Sequence, residues 1–269
     1  SRSTSRHRTG TESYSLHLIR ALLRLPARHH WRLYFRDVPP PELFPEADNI
    51  EQRIISLPRL WTHLRLGAEL ILRPPVGLFV PAHTRPLFCR TPTVLTVHDL
   101  GYLHFPRLHP GGQRAYLHWS TRHGARHAAH IITDSEATRK DLIDHYHTNP
   151  ARISVIYPGF DPTPFAAAPG THEPTDLPET FLLYVGTLQP RKGLSFLLEA
   201  LSDLRNHTSR PTLVCAGRHG WMTAPIMRQV EKLGLEKHVY FLDYVSHERL
   251  AALYRQASML VLPSLYEGF

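Results

Sequence analysis

The chain has 269 residues, 42% of them hydrophobic, and a formal net charge of +8. That length exceeds one typical core and suits two domains, the apolar content excludes wholesale disorder, and the lack of any run of about 18 apolar residues excludes a helical membrane span. The excess of 31 basic over 23 acidic side chains favours anionic partners, but arginine is scattered, lysine is scarce and no nucleic-acid module is recognisable, so the charge reads as surface plus phosphate handling and no nucleic acid is expected as a partner.

The first eight residues (SRSTSRHR) are polar and basic and read as a tail, or as the remains of a loop after an unseen strand. Residues 14–25 (YSLHLIRALLRL) put Leu16, Ile19, Leu22 and Leu23 on one helical face, and Pro26 stops the helix. Short β-like runs follow at 53–57, 77–80, 93–97, 131–133 and 153–157. Helix-like stretches at 113–129 and 136–146 separate the last three, with Ser135 placed to cap the second and Glu136 at its positive end. Residues 160–180 hold five prolines and a run of alanines and read as a linker. Beyond it, strands at 181–185, 212–216, 239–242 and 259–262 alternate with helices at 194–204, 224–233 and 247–257.

Strands that are apolar throughout, alternating with amphipathic helices, predict parallel sheets covered on both faces. Two such halves predict an α/β chain of two doubly wound domains facing each other, over residues 1–170 and 171–269. Ligands are then expected at the carboxyl ends of the strands, in the cleft between the halves. Cys89 and Cys215 stand far apart beside apolar sequence and read as buried thiols rather than a disulfide.

Three stretches fall where that rule puts ligands. GTLQPRKG (186–193) lies between a strand and a helix; Gly186 lets the backbone turn, and Arg191 and Lys192 stand at a helix N-terminus. Free N–H groups there favour anions, so two cations fit the place best around a bound anion, with a solvated pair as the plainer alternative. The spacing matches neither G-x-x-x-x-G-K-[ST] nor G-x-G-x-x-G, which argues against a P-loop NTPase and a dinucleotide dehydrogenase. In TVHDLGY (96–102), His98 follows directly on an apolar strand, and its ring either faces a substrate or serves the turn. In LPSLYEGF (262–269), Glu267 lies just past a strand end, where a carboxylate can accept two sugar hydroxyls, and Gly268 permits close approach of a ligand.

Together with HIITDSEATRKDL, VIYPGFD and FLDYVSHERLAALYRQA, in this order and spacing, these stretches resemble the retaining glycosyltransferases of family 4, the group 1 glycosyl transferases of the GT-B fold. The HDL and PRKG turns look most like its mannosyltransferase-like members. The resemblance covers nearly the whole chain. It implies two Rossmann-like domains and the transfer, with retention, of a mannose- or glucose-type hexose from a nucleotide-diphosphate sugar to a hydroxyl of a glycan or lipid-linked acceptor. It implies Lys192 on the donor diphosphate, Glu267 on hydroxyls of the transferred sugar, and Gly268 and Phe269 presenting N–H groups to the donor. His98 would line the reaction centre, Gly10 would lie near phosphate or acceptor, and Val245 would meet the nucleotide base. Gly186 and Arg191 would complete the donor site. The arginine that many members carry after the strand-end glycine is Thr187 here; Arg191 substitutes for it, or the pocket is less cationic.

The same resemblance makes Glu267 the first half of a Glu-x7-Glu signature whose second Glu would lie beyond Phe269, and TGTESY (9–14) the Gly-rich loop after a missing first strand. The expectation is therefore a fragment cut inside both domains and inactive alone. No cofactor and no metal are expected, since cationic side chains and helix N-termini can neutralise the leaving diphosphate. No carboxylate pair for a double displacement stands out; Asp99 is the nearest candidate and reads better as a turn residue.

His123, His127 and His130 have metal-like spacing, but Arg122 and Arg126 beside them oppose a cation. Trp119 and Trp221 read as core before sugar-stacking platforms. The basic helix over 113–126 either lies on an anionic bilayer, as a lipid-linked acceptor would suit, or is simply solvated. The corresponding setting is cytoplasmic, with peripheral contact at the inner face of the membrane. Two other readings stay open: a non-catalytic nucleotide- or sugar-binding module, and a phosphorylase or epimerase on the same fold.

Overall fold

A computed structural model describes residues 10–26, 28–166, 177–204, 211–220 and 223–269. The N-terminal tail, residues 167–176 of the linker and Trp221 lie outside the described residues. The chain divides into two compact units, one running to Pro158 and including Gly268 and Phe269, the other Gly159–Glu267.

The first unit opens with α1 (Gly10–Leu23), which buries Ser15 and Leu16. Gly10 to Tyr14, expected as loop, are its first turns, and open space surrounds Gly10. A small parallel sheet follows from β1 (Trp31–Phe35) and β2 (Ile50–Ile54). The sequence reading missed β1 and set β2 three residues late, on the apolar run 53–57. Pairing decides otherwise: Ile50 lies opposite Trp31 and Ile54 opposite Phe35. Apolar Ile55 follows the strand as a buried core residue, its N–H donating to the Phe35 carbonyl at 2.9 Å. A π-helical turn over Trp61–Leu66 leads into α2 (Gly67–Leu72), also unexpected; Leu66 and Leu70 pack there against Ile55, Leu78 and Cys89.

The larger sheet of this unit comprises β3 (Leu78–Val80), β4 (Thr93–Val97), β5 (His130–Thr133) and β6 (Ile153–Val155), all parallel and in chain order. Between the strands run α3 (Gly101–His104), α4 (Gly111–His127) and α5 (Glu136–Tyr146). Leu95, Val97, Leu100, Ala125, Ile131 and Leu142 share one core. Ser135 caps α5 as its sequence predicts, accepting from the Thr138 N–H at 3.2 Å.

The second unit is a parallel sheet of β7 (Leu182–Val185), β8 (Leu213–Ala216), β9 (Val239–Phe241) and β10 (Met259–Leu260), with α6 (Leu194–Asp203), α7 (Thr223–Lys232) and α8 (His247–Gln256) between them. Strand β8 shows why its sequence carries no polar residue. Successive side chains point to opposite faces, so Leu213 and Cys215 join the core under α6 and α7, while Val214 and Ala216 join the core that holds Leu253 of α8. Each fully buried side chain of this size contributes about 1.5–3 kcal/mol, so both faces must be covered. Cys89 and Cys215 are both buried free thiols. Among the described residues no helix is long and apolar enough to cross a membrane.

Candidate functional site

The strand order of the second unit is β10-β7-β8-β9. The chain therefore steps outward from β7 through β8 to β9, then returns to the other side of β7. In an open parallel sheet, ligands bind beyond the carboxyl ends of the strands where the order reverses. Here that place is flanked by the stretch after β7, residues 186–193, and the stretch after β10, residues 261–267.

These two stretches are tied together. A short 3-10 turn, Pro190–Lys192, precedes α6, and Gly193 caps that helix with φ 70°. The Leu265 N–H donates to the Arg191 carbonyl at 3.0 Å. Lys192 Nζ donates to Glu267 Oε1 at 2.6 Å, and the Arg191 guanidinium reaches Glu267 Oε2 at 3.3 Å and the Tyr266 carbonyl at 2.6 Å. The side chains of Arg191 and Lys192 are only 11% and 21% exposed, so they are not a solvated pair. Partial burial pushes the Glu267 carboxyl up, but the Lys192 ammonium, the Ser264 hydroxyl and the Arg191 charge outweigh it and hold the group below the ordinary carboxylate range. Burial pushes the phenol of Tyr184 beneath this cluster well up, with Cys215 and Glu267 adding to the shift.

The other predicted residues of this unit lie on the same edge. Gly186 directly follows β7, its N–H donating to the Ala216 carbonyl at 3.0 Å, and Lys192 Cε would stand 4.0 Å from a Cβ placed on it. Thr187 follows it, half-buried. Val245 lies past the carboxyl end of β9, directly before Ser246, the cap of α8.

In the first unit, His98 stands at the carboxyl end of β4, as predicted, but it is buried rather than open. Its Nδ1–H donates to Asp134 Oδ2 at 2.5 Å, and Nε2 lies 3.3 Å from the Pro81 carbonyl. Tyr14 packs edge-on against the imidazole with centroids 4.8 Å apart, and His83 lies at 5.4 Å. The Thr138 hydroxyl donates to the His98 carbonyl at 3.1 Å. Burial raises the Tyr14 phenol, and the charge of Asp134 adds to the shift.

Sequence reasoning missed Asp134 and Thr138. The signal for Asp134 was available, since it directly follows β5 as His98 directly follows β4; nothing in the sequence marks Tyr14 or His83. Gly10 has no neighbour that demands a glycine, while Gly268 and Phe269 group with this first unit. Asp99 accepts the Gly101 N–H at 3.0 Å, the turn-forming role expected of it.

Of the three histidines with metal-like spacing, His130 bonds the Ser154 hydroxyl at 2.9 Å, and His123 Nε2 stands 3.3 Å from the Arg85 guanidinium. Burial, His127 and Arg85 together push the His123 imidazole down.

Residues 8–164 match the family described as Glycosyltransferase Family 4, and residues 172–269 match the one described as Glycosyl transferases group 1. The O-antigen chain mannosyltransferase B of Escherichia coli is 30% identical over 184 residues, covering 65% of this chain and 48% of that protein. The D-inositol 3-phosphate glycosyltransferase of Corynebacterium glutamicum is 31% identical over 153 residues, covering 52% of this chain and 36% of the relative. The chain thus spans half or less of the length of these curated relatives. The solved structure of WaaG, a glycosyltransferase involved in lipopolysaccharide biosynthesis, superposes with a TM-score of 0.70 at 18% identity, over 96% of this chain and 72% of that one. Anabaena HepE in complex with UDP and glucose gives a TM-score of 0.62 at 19% identity, over 82% and 63%. At these identities the structural likeness establishes the GT-B fold. The family match over residues 8–164 covers more than half of the sequence, and the chain belongs to Glycosyltransferase Family 4.

Proposed function

We propose that the chain is the catalytic part of a retaining hexosyltransferase, taking a mannose- or glucose-type sugar from a nucleotide diphosphate to a hydroxyl of a glycan or lipid-linked acceptor. The observation that carries the reading is the Arg191, Lys192 and Glu267 cluster at the strand-order reversal of the second unit. A nucleotide-diphosphate sugar becomes reactive when the charge on its leaving diphosphate is neutralised. Two cations fixed beside the start of α6 are suited to that task and need no reorganisation during reaction. Glu267 holds them and can also accept hydroxyls of the transferred ring. In this reading the departing phosphate oxygen takes the proton of the attacking hydroxyl, so no carboxylate base is needed. Gly186, Val245, Gly268 and Phe269 would serve the donor through their backbone, and Gly10 would stand near phosphate or acceptor. For His98 the proposal is a sugar-contacting imidazole held in orientation by Asp134.

The names of the relatives support the sugar chemistry. One is a mannosyltransferase, one acts on an inositol phosphate, and HepE was solved with UDP and glucose. A lipid-linked acceptor would place the protein on the cytoplasmic face of a membrane, with the basic side of α4 as the contact.

The test uses the full-length protein. Titration calorimetry with UDP- and GDP-hexoses, followed by a turnover assay, is expected to show binding and transfer. Lys192→Ala should lower turnover by about 10²–10³-fold, the scale for losing one preorganised charge-stabilising group. Glu267→Gln should spare nucleoside diphosphate binding while removing transfer. A Lys192→Ala, Glu267→Ala double variant that transfers sugar like wild type overturns the reading. Binding with no turnover on any acceptor would favour the non-catalytic module, and turnover only with inorganic phosphate would favour a phosphorylase.

A further inference from the structure

The first unit holds a second cluster of ligating side chains that the transfer chemistry does not use. His104 ends α3, while Asp141 and His145 lie four residues apart on α5. One donor atom from each of the three lies within 4.8 Å of the others. His104 Nε2 and Asp141 Oδ2 are 2.8 Å apart, and the rings of His104 and His145 have centroids at 6.0 Å. Asp141 is 9% exposed, whereas both histidines are open to solvent.

We infer that His104, Asp141 and His145 form a binding site for a divalent transition-metal ion such as zinc. Two imidazoles and one carboxylate are a donor set that suits zinc, with a fourth position left to solvent. Tetrahedral coordination at 2.0–2.1 Å needs donor atoms about 3.3 Å apart. His104 and Asp141 are already closer than that, the three donors lie within 4.8 Å of one another, and the exposed His145 side chain must swing inward to complete the site. The i, i+4 placement of Asp141 and His145 puts both ligands on one face of α5. His145 also lies in the last turn of α5, where the backbone dipole favours a cation.

To bind, His104 must give up the Nε2–H that now meets Asp141. It does so by moving the proton to Nδ1, or by releasing one proton if both nitrogens carry one; the metal–nitrogen bond replaces the hydrogen bond. The three histidines read from the sequence are poorer candidates, since Arg85 stands over His123 and Ser154 holds His130.

The site has a place in the fold as well as a composition. Asp134, Thr138 and Asp141 follow one another along one side of α5 and its cap, and each holds the 98–104 segment: Asp134 the His98 ring, Thr138 the His98 carbonyl, Asp141 the His104 ring. A bound ion would fix the last of these three ties and staple α3 to α5.

Cobalt(II) and zinc titrations of the metal-stripped full-length protein test this, with the absorption of tetrahedral cobalt and the shift in Tm as readouts. One saturable site with a visible cobalt band is expected, together with a zinc-dependent rise in Tm of a few degrees. His145→Ala removes an exposed ligand that the fold does not need, so it should weaken this site about tenfold or more and abolish the Tm shift. His123→Ala with His127→Ala should change neither. If His145→Ala binds and shifts like wild type, or if the wild type shows no saturable site, the proposal fails. With 20 histidines in the chain, uptake that survives His145→Ala is adventitious. None of these readouts depends on sugar transfer, so the result stands apart from the proposed function.

Discussion

The two strand-edge clusters are built on opposite principles. Around His98 and Asp134, both buried, the neighbours are half-buried and carry no full charge besides the carboxylate: an aromatic edge from Tyr14, a second imidazole from His83 and a backbone carbonyl. Around Glu267 three charged groups meet at a partly open surface, and the lone carboxylate is outnumbered by two cations. The sheets beneath differ in the same sense. The first unit's large sheet runs in chain order through β3-β4-β5-β6, while the second reverses at β7. At the reversal the stretches after β7 and β10 meet, and the charge has gathered there. A packed pocket can fix the direction of a ring. An open charged cluster can exchange one anion for another, because water compensates the groups while they change partners.

The largest expected effect breaks the second cluster at its backbone. Gly193 has φ 70°, and a Cβ placed on it would stand 2.0 Å from the Pro263 carbonyl oxygen. Backbone cannot move aside as a flexible side chain can. Gly193→Ala should therefore cost about 1–3 kcal/mol for the overlap, with roughly 1 kcal/mol more for the left-handed conformation. Denaturant unfolding of the second unit measures the loss. A variant as stable as wild type would mean that the two stretches are not locked together, and the contrast between the clusters would weaken.

The next effect sharpens the first cluster. Asp134→Asn keeps the shape of the side chain but replaces a charge-assisted hydrogen bond with a neutral one, a loss of about 1–1.5 kcal/mol. If His98 acts on the sugar, kcat should fall about tenfold while donor affinity, set in the second unit, stays unchanged. A fall in donor affinity with kcat intact would assign Asp134 a different role.

Legibility followed the same division. In the second unit every strand and helix was readable, because apolar runs alternate with amphipathic helices, although β10 is exposed and stops at Leu260, short of its apolar run 259–262. In the first unit the early elements were not. The β2 residues Glu51, Gln52 and Arg53 are polar, and that strand exists because β1 offers it a partner, which no local pattern can show. The turn over Trp61–Leu66 begins after Leu60 at φ 56°, a conformation leucine rarely adopts and its neighbours do not announce. Within the site, Lys192, Arg191 and Glu267 were findable by position alone, since strand ends and helix starts leave a sequence mark. Their pairing was not, because it joins positions 75 and 76 residues apart. Asp134 shows the remaining margin: the strand-end rule that singled out His98 applied equally to it.

The smallest effect separates the two units by pH. Burial pushes the imidazoles of His63 and His123 below their ordinary 6.5, with His127 and Arg85 adding to the shift at His123. In both cases the fold disfavours the protonated form. Their contribution to stability is present in full above pH 6.5 and is lost as the pH falls below it, toward the lowered values of the folded state. The carboxyl of Glu267 is also held below its ordinary 4.5, despite burial, by Lys192, Ser264 and Arg191, so its contribution persists to lower pH and is lost only below 4.5. Amide hydrogen exchange read separately on α4 and α6 should therefore show the first unit loosening at a higher pH than the second. Replacing His63 and His123 with Gln should move the α4 transition down and leave α6 where it was. Coincident transitions in the wild type would mean that the imidazoles of His63 and His123 and the carboxyl of Glu267 do not set the pH response of the two units separately.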